Sequence, residues 1–382
     1  MYQSTADPWS ATALDVKRRL SSLRESGEPG AVATVVDVEG SAYRRPGAKM
    51  VLTPEGDHLG GITAGCLEGP VVDLANPVFA SGEPVIETFD LMDDDDEWGL
   101  GLGCNGVIDV LVEPVDDSWD AVLAALDTGD SVATVTAVDG DAPLGARAVV
   151  ETDGTVATPS DRAGLPDGVV EAIRDEAVDC AETGTWVART VSAEAGDVTV
   201  FVDGVEPAPE MLVFGGQPDT GPVSNLARHV GFAVTVATAR GGHADPERFP
   251  AADEVLSLRP ANLGEHADER TAVVLMSHNK LDDELALASV LESDAPYVGL
   301  MGPRERFEQI REELAADGVE FTEAQLARVA TPVGLDIGGG EPVQIALSIV
   351  SEALAVLNGR EGGRLRDREG AIHGEREIIV DD

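Results

Sequence analysis

Two periodicities alternate along the chain. Over residues 32–38 and 50–53, apolar β-branched positions alternate with small or polar ones, which predicts two strands, and Glu55-Gly56 predicts a turn after them. Residues 9–25 instead place Trp9, Ala13, Leu14, Val16, Leu20 and Leu23 at helical spacing, and that spacing returns over 119–127. From residue 211 the pattern changes. Short apolar runs at 211–214, 232–236, 271–276 and 297–301 read as buried parallel strands, with helices through 226–229 and over 342–357. Beyond Gly359 the sequence turns charged and glycine-rich and reads as a mobile tail.

The first half repeats itself. Val32-Ala33-Thr34-Val35 returns as Val132-Ala133-Thr134-Val135, Gly47-Ala48-Lys49 as Gly145-Ala146-Arg147, Glu55-Gly56 as Asp153-Gly154, and Val71-Val72-Asp73 as Val169-Val170-Glu171. Two copies of one α+β unit are expected, over about 30–115 and 130–207, each running strand, turn, strand, turn, helix, strand. The copies differ in chemistry. Only the first carries Gly40-Ser41-Ala42-Tyr43-Arg44-Arg45-Pro46-Gly47, Gly65-Cys66-Leu67-Glu68-Gly69 and Gly103-Cys104-Asn105-Gly106. A purely structural residue would be expected in both copies, so residues confined to the first are functional candidates.

Composition narrows the class. Seventy-one acidic residues against 26 basic ones give a formal net charge of −45 over 382 residues, yet 43% of positions are apolar, enough for substantial cores. Such self-repulsion must be screened, and the Debye length falls to about 3 Å at 1 M salt, so the acidity reads as a solvated surface suited to a salt-filled, halophilic cytoplasm. The same sign disfavours nucleic acid and anionic membranes as partners. No apolar run has the length of a membrane span, and the first ten residues lack an apolar core of the signal-peptide kind, so a cytoplasmic protein is expected. Three cysteines make no disulfide framework.

Free thiols then need another explanation. Cys66 follows glycines at the start of an apolar helix, where unpaired backbone N–H groups favour a thiolate. Cys104 lies among four glycines before a strand. Two such thiols suit a soft ligand, a metal centre or a sulfur donor, with Arg44 or Arg45 as a fork for a phosphate or a dithiolene-bearing pterin. The plainer alternative is two small buried hydrophobes filling space beside glycines. Cys180, within the helical stretch 172–183, reads as inert, and no C-x-x-C or histidine spacing suggests zinc.

In the second half, Gly215-Gly216-Gln217-Pro218-Asp219-Thr220-Gly221 links a strand to a helix in a βαβ unit. The dinucleotide fingerprint is met only at Gly215. Gln217 stands where a glycine lets a pyrophosphate approach, and Thr238 where an acid binds ribose, which favours a scaffold over NAD(P) binding. Ligands of open parallel sheets sit at carboxyl ends of strands, so Gly215, Asp219, His278, Asn279, Arg304 and Asp336 are expected along one crevice. A turn or capping role is the alternative for His278.

Taken together, the segments around Arg44, Cys66 and Cys104, with Val112-Glu113-Pro114, Phe214-Gly215, Pro218-Asp219, Ser277-His278-Asn279, Tyr297-Val298-Gly299-Leu300 and Gly334-Leu335-Asp336-Ile337-Gly338, closely resemble the XdhC/CoxI family over about 10–358. The resemblance implies an α/β protein: a C-terminal Rossmann-type parallel-sheet domain preceded by a duplicated α+β XdhC/CoxI-type region. The domains expected are 1–115 with the cysteine motifs, 116–207 as a degenerate second copy, 208–360 as the Rossmann-type domain, and 361–382 as a charged tail. It also implies an accessory chaperone that binds the molybdenum cofactor (molybdopterin) transiently, supports its sulfuration with a cysteine desulfurase, and inserts it into a xanthine dehydrogenase-type apo-enzyme.

The cofactor-binding set expected on this reading is Arg44, Gly65, Cys66, Glu68, Gly103, Cys104, Gly215, Asp219, His278, Arg304 and Asp336. No metal is held by the protein alone, with Cys66 and Cys104 as soft ligands toward the cofactor's molybdenum. No nucleophile-base pair points to turnover, and a non-catalytic maturation factor is expected. The alternatives are an NAD(P)-dependent oxidoreductase using the Rossmann unit and an interaction module without a small ligand. A homodimer or larger homo-oligomer is expected, with the cofactor between the cysteine face and the Rossmann strand ends.

Overall fold

The computed structural model describes residues 8–91, 106–158, 164–166, 168–193 and 196–369. It comprises two compact units that divide between Pro207 and Ala208.

In the first unit, helix α1 (Ala13–Ser26) starts at a capping box in which Thr12 and Asp15 satisfy each other's backbone amides, and stops at Gly27 in the left-handed conformation. Strands β1 (Ala31–Gly40), β2 (Lys49–Leu52) and β3 (His58–Gly60), helix α2 (Glu68–Ser81), and strands β4 (Val85–Asp90) and β5 (Gly106–Pro114) follow. They form an antiparallel sheet in the order β3-β2-β1-β5-β4. Helix α3 (Asp120–Thr128) leads into β6 (Val132–Gly140), β7 (Arg147–Glu151), β8 (Val156–Ala157), α4 (Val169–Ala172), α5 (Arg174–Thr183), β9 (Trp186–Ala193) and β10 (Gly196–Val205). Their sheet, β8-β7-β6-β10-β9, is again antiparallel and has the same order. Even the irregularities agree: β1 bulges between Val35 and Asp37, and β6 skips Val138 against β10.

Each sheet has two buried faces, so the alternation read over 32–38 does not separate core from solvent: residues 31–36 of β1 are all buried. Ala31, Ala33 and Val35 pack with Val71, Ala75 and Val78 of α2, and Ala133, Val135 and Ala137 pack with Ala177, Cys180 and Ala181 of α5. Val32 and Val51 turn the other way, joining Val132, Val149, Trp119, Val122, Leu20 and Leu23 in a core shared by the two copies. Val36 and Leu111 meet Phe201 in the same manner.

The second unit contains β11 (Glu210–Phe214), α6 (Thr220–His229), β12 (Ala233–Thr238), β13 (Glu254–Ser257), β14 (Thr271–Leu275), α7 (Lys280–Leu291), β15 (Tyr297–Leu300), α8 (Arg304–Ala316), α9 (Glu323–Ala327), β16 (Val329–Ala330) and α10 (Pro342–Leu357). Its six strands are all parallel, in the order β13-β12-β11-β14-β15-β16. Helices α6 and α10 cover one face through Val223, Ala227, Ala346, Ile349, Val350 and Ala353. Helices α7 and α8 cover the other through Ala286, Leu287, Val290, Phe307 and Ile310. The chain steps outward from β11 to β13 and returns to β14 beside β11, which makes the β11/β14 boundary the topological switch point. Among the described residues no helix is long and apolar enough to cross a membrane.

Candidate functional site

In the first unit the Cys66 loop leaves β3 and enters α2. Glu68, buried at the first position of α2, closes this loop: Oε1 accepts from the amides of Ile62 (3.3 Å) and Thr63 (3.0 Å), and Oε2 accepts from the Thr63 hydroxyl (2.7 Å). Thr63 Oγ1 accepts in turn from the amides of Gly65 (3.3 Å) and Leu67 (3.2 Å). One carboxylate thereby orders a loop whose polar backbone would otherwise be unpaired. Gly65 has φ 109°, a backbone conformation that disfavours any side chain, although a Cβ there would only touch the Trp9 indole at 3.4 Å. Cys66 is free and half-buried, two residues before α2 begins.

Arg44 lies exposed in the loop between β1 and β2, and no bond ties it to another of the described residues. Register brings its loop and the Cys66 loop to one end of the sheet, since Met50 pairs with Gly60. Gly40 pairs with Gly106, where β5 begins at the same end. Gly103 and Cys104 lie outside the described residues. In the second copy Gly164 stands at the place of Cys66, and no arginine replaces Arg44. Cys180, in contrast, is buried in the core beneath β6 and β10.

In the second unit a crevice of 480 Å³ opens at the carboxyl ends of β11, β12 and β14. Gly215 and Gly216 form its floor. A Cβ on Gly216 would sit 2.8 Å from Thr238 Oγ1 and 3.0 Å from His243 Nδ1, so only glycine fits. Arg248 Nη2 donates to the Gly216 carbonyl at 2.9 Å and fixes the turn. His278, just past β14, takes φ 58°, a left-handed conformation uncommon outside glycine. Its Nε2 lies 2.7 Å from Asp219 Oδ2, so the dyad joins two expected residues. Asn279 caps α7, its Oδ1 accepting from the Asp282 amide at 3.1 Å.

Two expected residues lie elsewhere. Arg304 opens α8 beyond β15, one strand further along the sheet, and Asp336 sits exposed in the loop between β16 and α10. Neither lines the crevice. Arg240, His243 and Asp282 do; sequence reasoning missed Arg240 and His243 and did not place Asp282 in the site. Arg240 lies only two residues beyond Thr238, a spacing that could have drawn attention to it.

A second cavity, of 340 Å³, lies between the two sheets of the first unit, where the bulged Val36 and Val138 and their neighbours Asp37 and Asp139 face it. Burial, with the negative charges of Asp109 and Glu39 added, raises the Asp37 carboxyl above its ordinary range. Among the described residues no group of histidines, cysteines and acids is placed to hold a metal ion.

Against known proteins, the family model described as the XdhC Rossmann domain matches residues 211–353, and that of the XdhC and CoxI family matches residues 23–90. A Bacillus subtilis protein named as a probable subunit of xanthine dehydrogenase is 28% identical over 350 residues, covering 88% of this chain and 95% of that protein. The molybdenum cofactor insertion chaperone PaoD of Escherichia coli is 21% identical over 338 residues, 87% of this chain and 84% of its own. A solved structure described as a xanthine dehydrogenase from Bacillus halodurans superposes with a TM-score of 0.72 at 28% identity, covering 90% of this chain and 96% of that one.

Proposed function

Because this chain belongs to the XdhC and CoxI family, we propose that it is an accessory factor of a xanthine dehydrogenase-type molybdenum hydroxylase, one that carries the molybdenum cofactor to the apo-enzyme. The observation that carries this reading is that the likeness runs in one order through both units and includes a relative named as a molybdenum cofactor insertion chaperone. The chemistry of the first unit supports it. A labile sulfur-bearing molybdenum centre wants soft, reversible ligands and a rigid frame, and Cys66 offers a thiol on a loop that Glu68 holds in place. Arg44 supplies an unengaged guanidinium at the same end of the sheet, suited to the cofactor's phosphate. On this reading Cys104 is the second thiol, a cysteine desulfurase supplies sulfur, and the carrier works as a homo-oligomer in a saline cytoplasm.

The test is retention. Protein purified anaerobically in high salt should carry pterin fluorescence and molybdenum, and should activate an apo-hydroxylase. Cys66→Ala and Arg44→Ala should each fold and lose most of the bound pterin. Folded variants that hold as much pterin as the parent would refute the assignment.

A further inference from the structure

We propose that the crevice of the second unit binds a nucleotide bearing a phosphomonoester on its ribose, with Arg240 and His243 as the partners of that phosphate. Acids outnumber lysine and arginine 71 to 26 in this chain, yet the residues lining the crevice carry one cation, Arg240, and one carboxylate, Asp282, beside His243 and His278, with Asp219 behind His278. Two of the chain's six histidines meet there. On so acidic a molecule, a lining without net negative charge is where an anion meets the least repulsion.

The arrangement says where on the ligand that anion sits. In parallel sheets of this kind the residue ending the second strand meets the ribose: an acid there takes a free 2′-hydroxyl, whereas an arginine nearby takes a 2′-phosphate. Here the position is Thr238, at the end of β12, and its Oγ1 accepts the Arg240 amide at 3.2 Å, which fixes the backbone that carries Arg240. The guanidinium is 56% exposed and meets Asp282 Oδ2 at 2.9 Å. That contact leaves most of its five donors for a ligand. His243 stands against the same wall, its Nδ1 3.0 Å from where a Cβ of Gly216 would lie. Gln217 lines the same crevice, at the place where a glycine would let a pyrophosphate approach. The absence of the acid, which at first argues against a nucleotide, is the feature that fits a phosphorylated one.

Titration calorimetry of the full chain with NADP⁺ and NAD⁺, in one high-salt buffer, tests this directly, because the two ligands differ only in the 2′-phosphate. NADP⁺ should bind about ten- to a hundred-fold more tightly, the range expected for charged hydrogen bonds. Arg240→Ala should abolish that preference by weakening NADP⁺ far more than NAD⁺, and Arg240→Lys should restore part of it. Arg240→Gln keeps the polar stem without the charge and serves if the alanine variant does not fold. Inorganic phosphate should compete with NADP⁺ in the parent. Equal affinities, no binding of either nucleotide, or a preference that survives loss of the Arg240 charge would overturn the proposal. The cofactor-insertion reading stands or falls separately, on pterin retention.

Discussion

Arg147 of the second copy forms a buried ion pair with Glu113 of the first, and Lys49, the residue that Arg147 replaces in the repeat, forms a partly buried one with Asp203 of the second. The same position in each copy thus reaches across to the last strand of the other. Arg147 also donates to Thr136 Oγ1 at 3.1 Å and stacks 4.4 Å above the Trp119 ring. Removing one partner of a buried pair strands a charge, at a cost of about 3–5 kcal/mol. Arg147→Met should therefore lower the denaturant midpoint steeply, whereas Arg147→Met with Glu113→Leu should recover most of the loss. Equilibrium unfolding of the two variants checks this, and a double variant as unstable as the single one would contradict it.

Glu68 is a second point of leverage. Glu68→Ala leaves two amides and the Thr63 hydroxyl without their acceptor, which should cost about 1–3 kcal/mol. The loop should loosen before the unit unfolds. Alkylation of Cys66, followed by mass spectrometry under native conditions, should accelerate in the variant, while Cys180, buried in the core, reacts only on unfolding. Unchanged Cys66 reactivity would show that the carboxylate does not hold the loop.

The helix α10 was readable end to end from its spacing, and β1, β11 and β14 were readable to within a residue or two at their ends, because alternation, buried apolar runs and helical spacing are strong local signals. Edge strands were not. β13 and β16 are short and half-exposed, and β3 and β4 carry polar residues between turns, so their pairing comes from neighbours rather than from their own composition. The site was legible where a motif sits in sequence, as at Gly215 and His278. It was not where the contact depends on a strand end several residues from the motif, as at Arg240 and His243. Glu68 was expected to touch the cofactor, and what the structure gives it is a set of bonds within its own loop.

Tyr297, at the start of β15, gives an alkaline dependence. Its hydroxyl donates to Glu352 at 2.6 Å, and burial, then that hydrogen bond and the carboxylate's charge, push its pKa far above the ordinary value of 10.0. Below pH 10 the phenol is protonated in both states and its contribution is constant. Above that, only the unfolded chain ionises, so stability falls by about 1.4 kcal/mol per pH unit until the folded pKa is reached. Tyr297→Phe should flatten the stability profile above pH 10, and an identical slope in the variant would rule this out.

Salt should act on the whole molecule. With a formal net charge of −45, lengthening the screening distance from about 3 Å at 1 M salt to about 10 Å at 0.1 M exposes each carboxylate to many more of its neighbours. The melting temperature should fall as potassium chloride is diluted, and a flat profile from molar salt to tens of millimolar would refute the halophilic reading.

The reciprocal pairs between the two sheets carry one more implication. Separate polypeptides meeting in this way would come apart on dilution, and a symmetric pair would offer two identical thiol loops. Joined in one chain, the halves meet at an effective concentration that no dilution changes. The second half is then free to serve only as a wall, since Gly164 stands there where the first half carries Cys66.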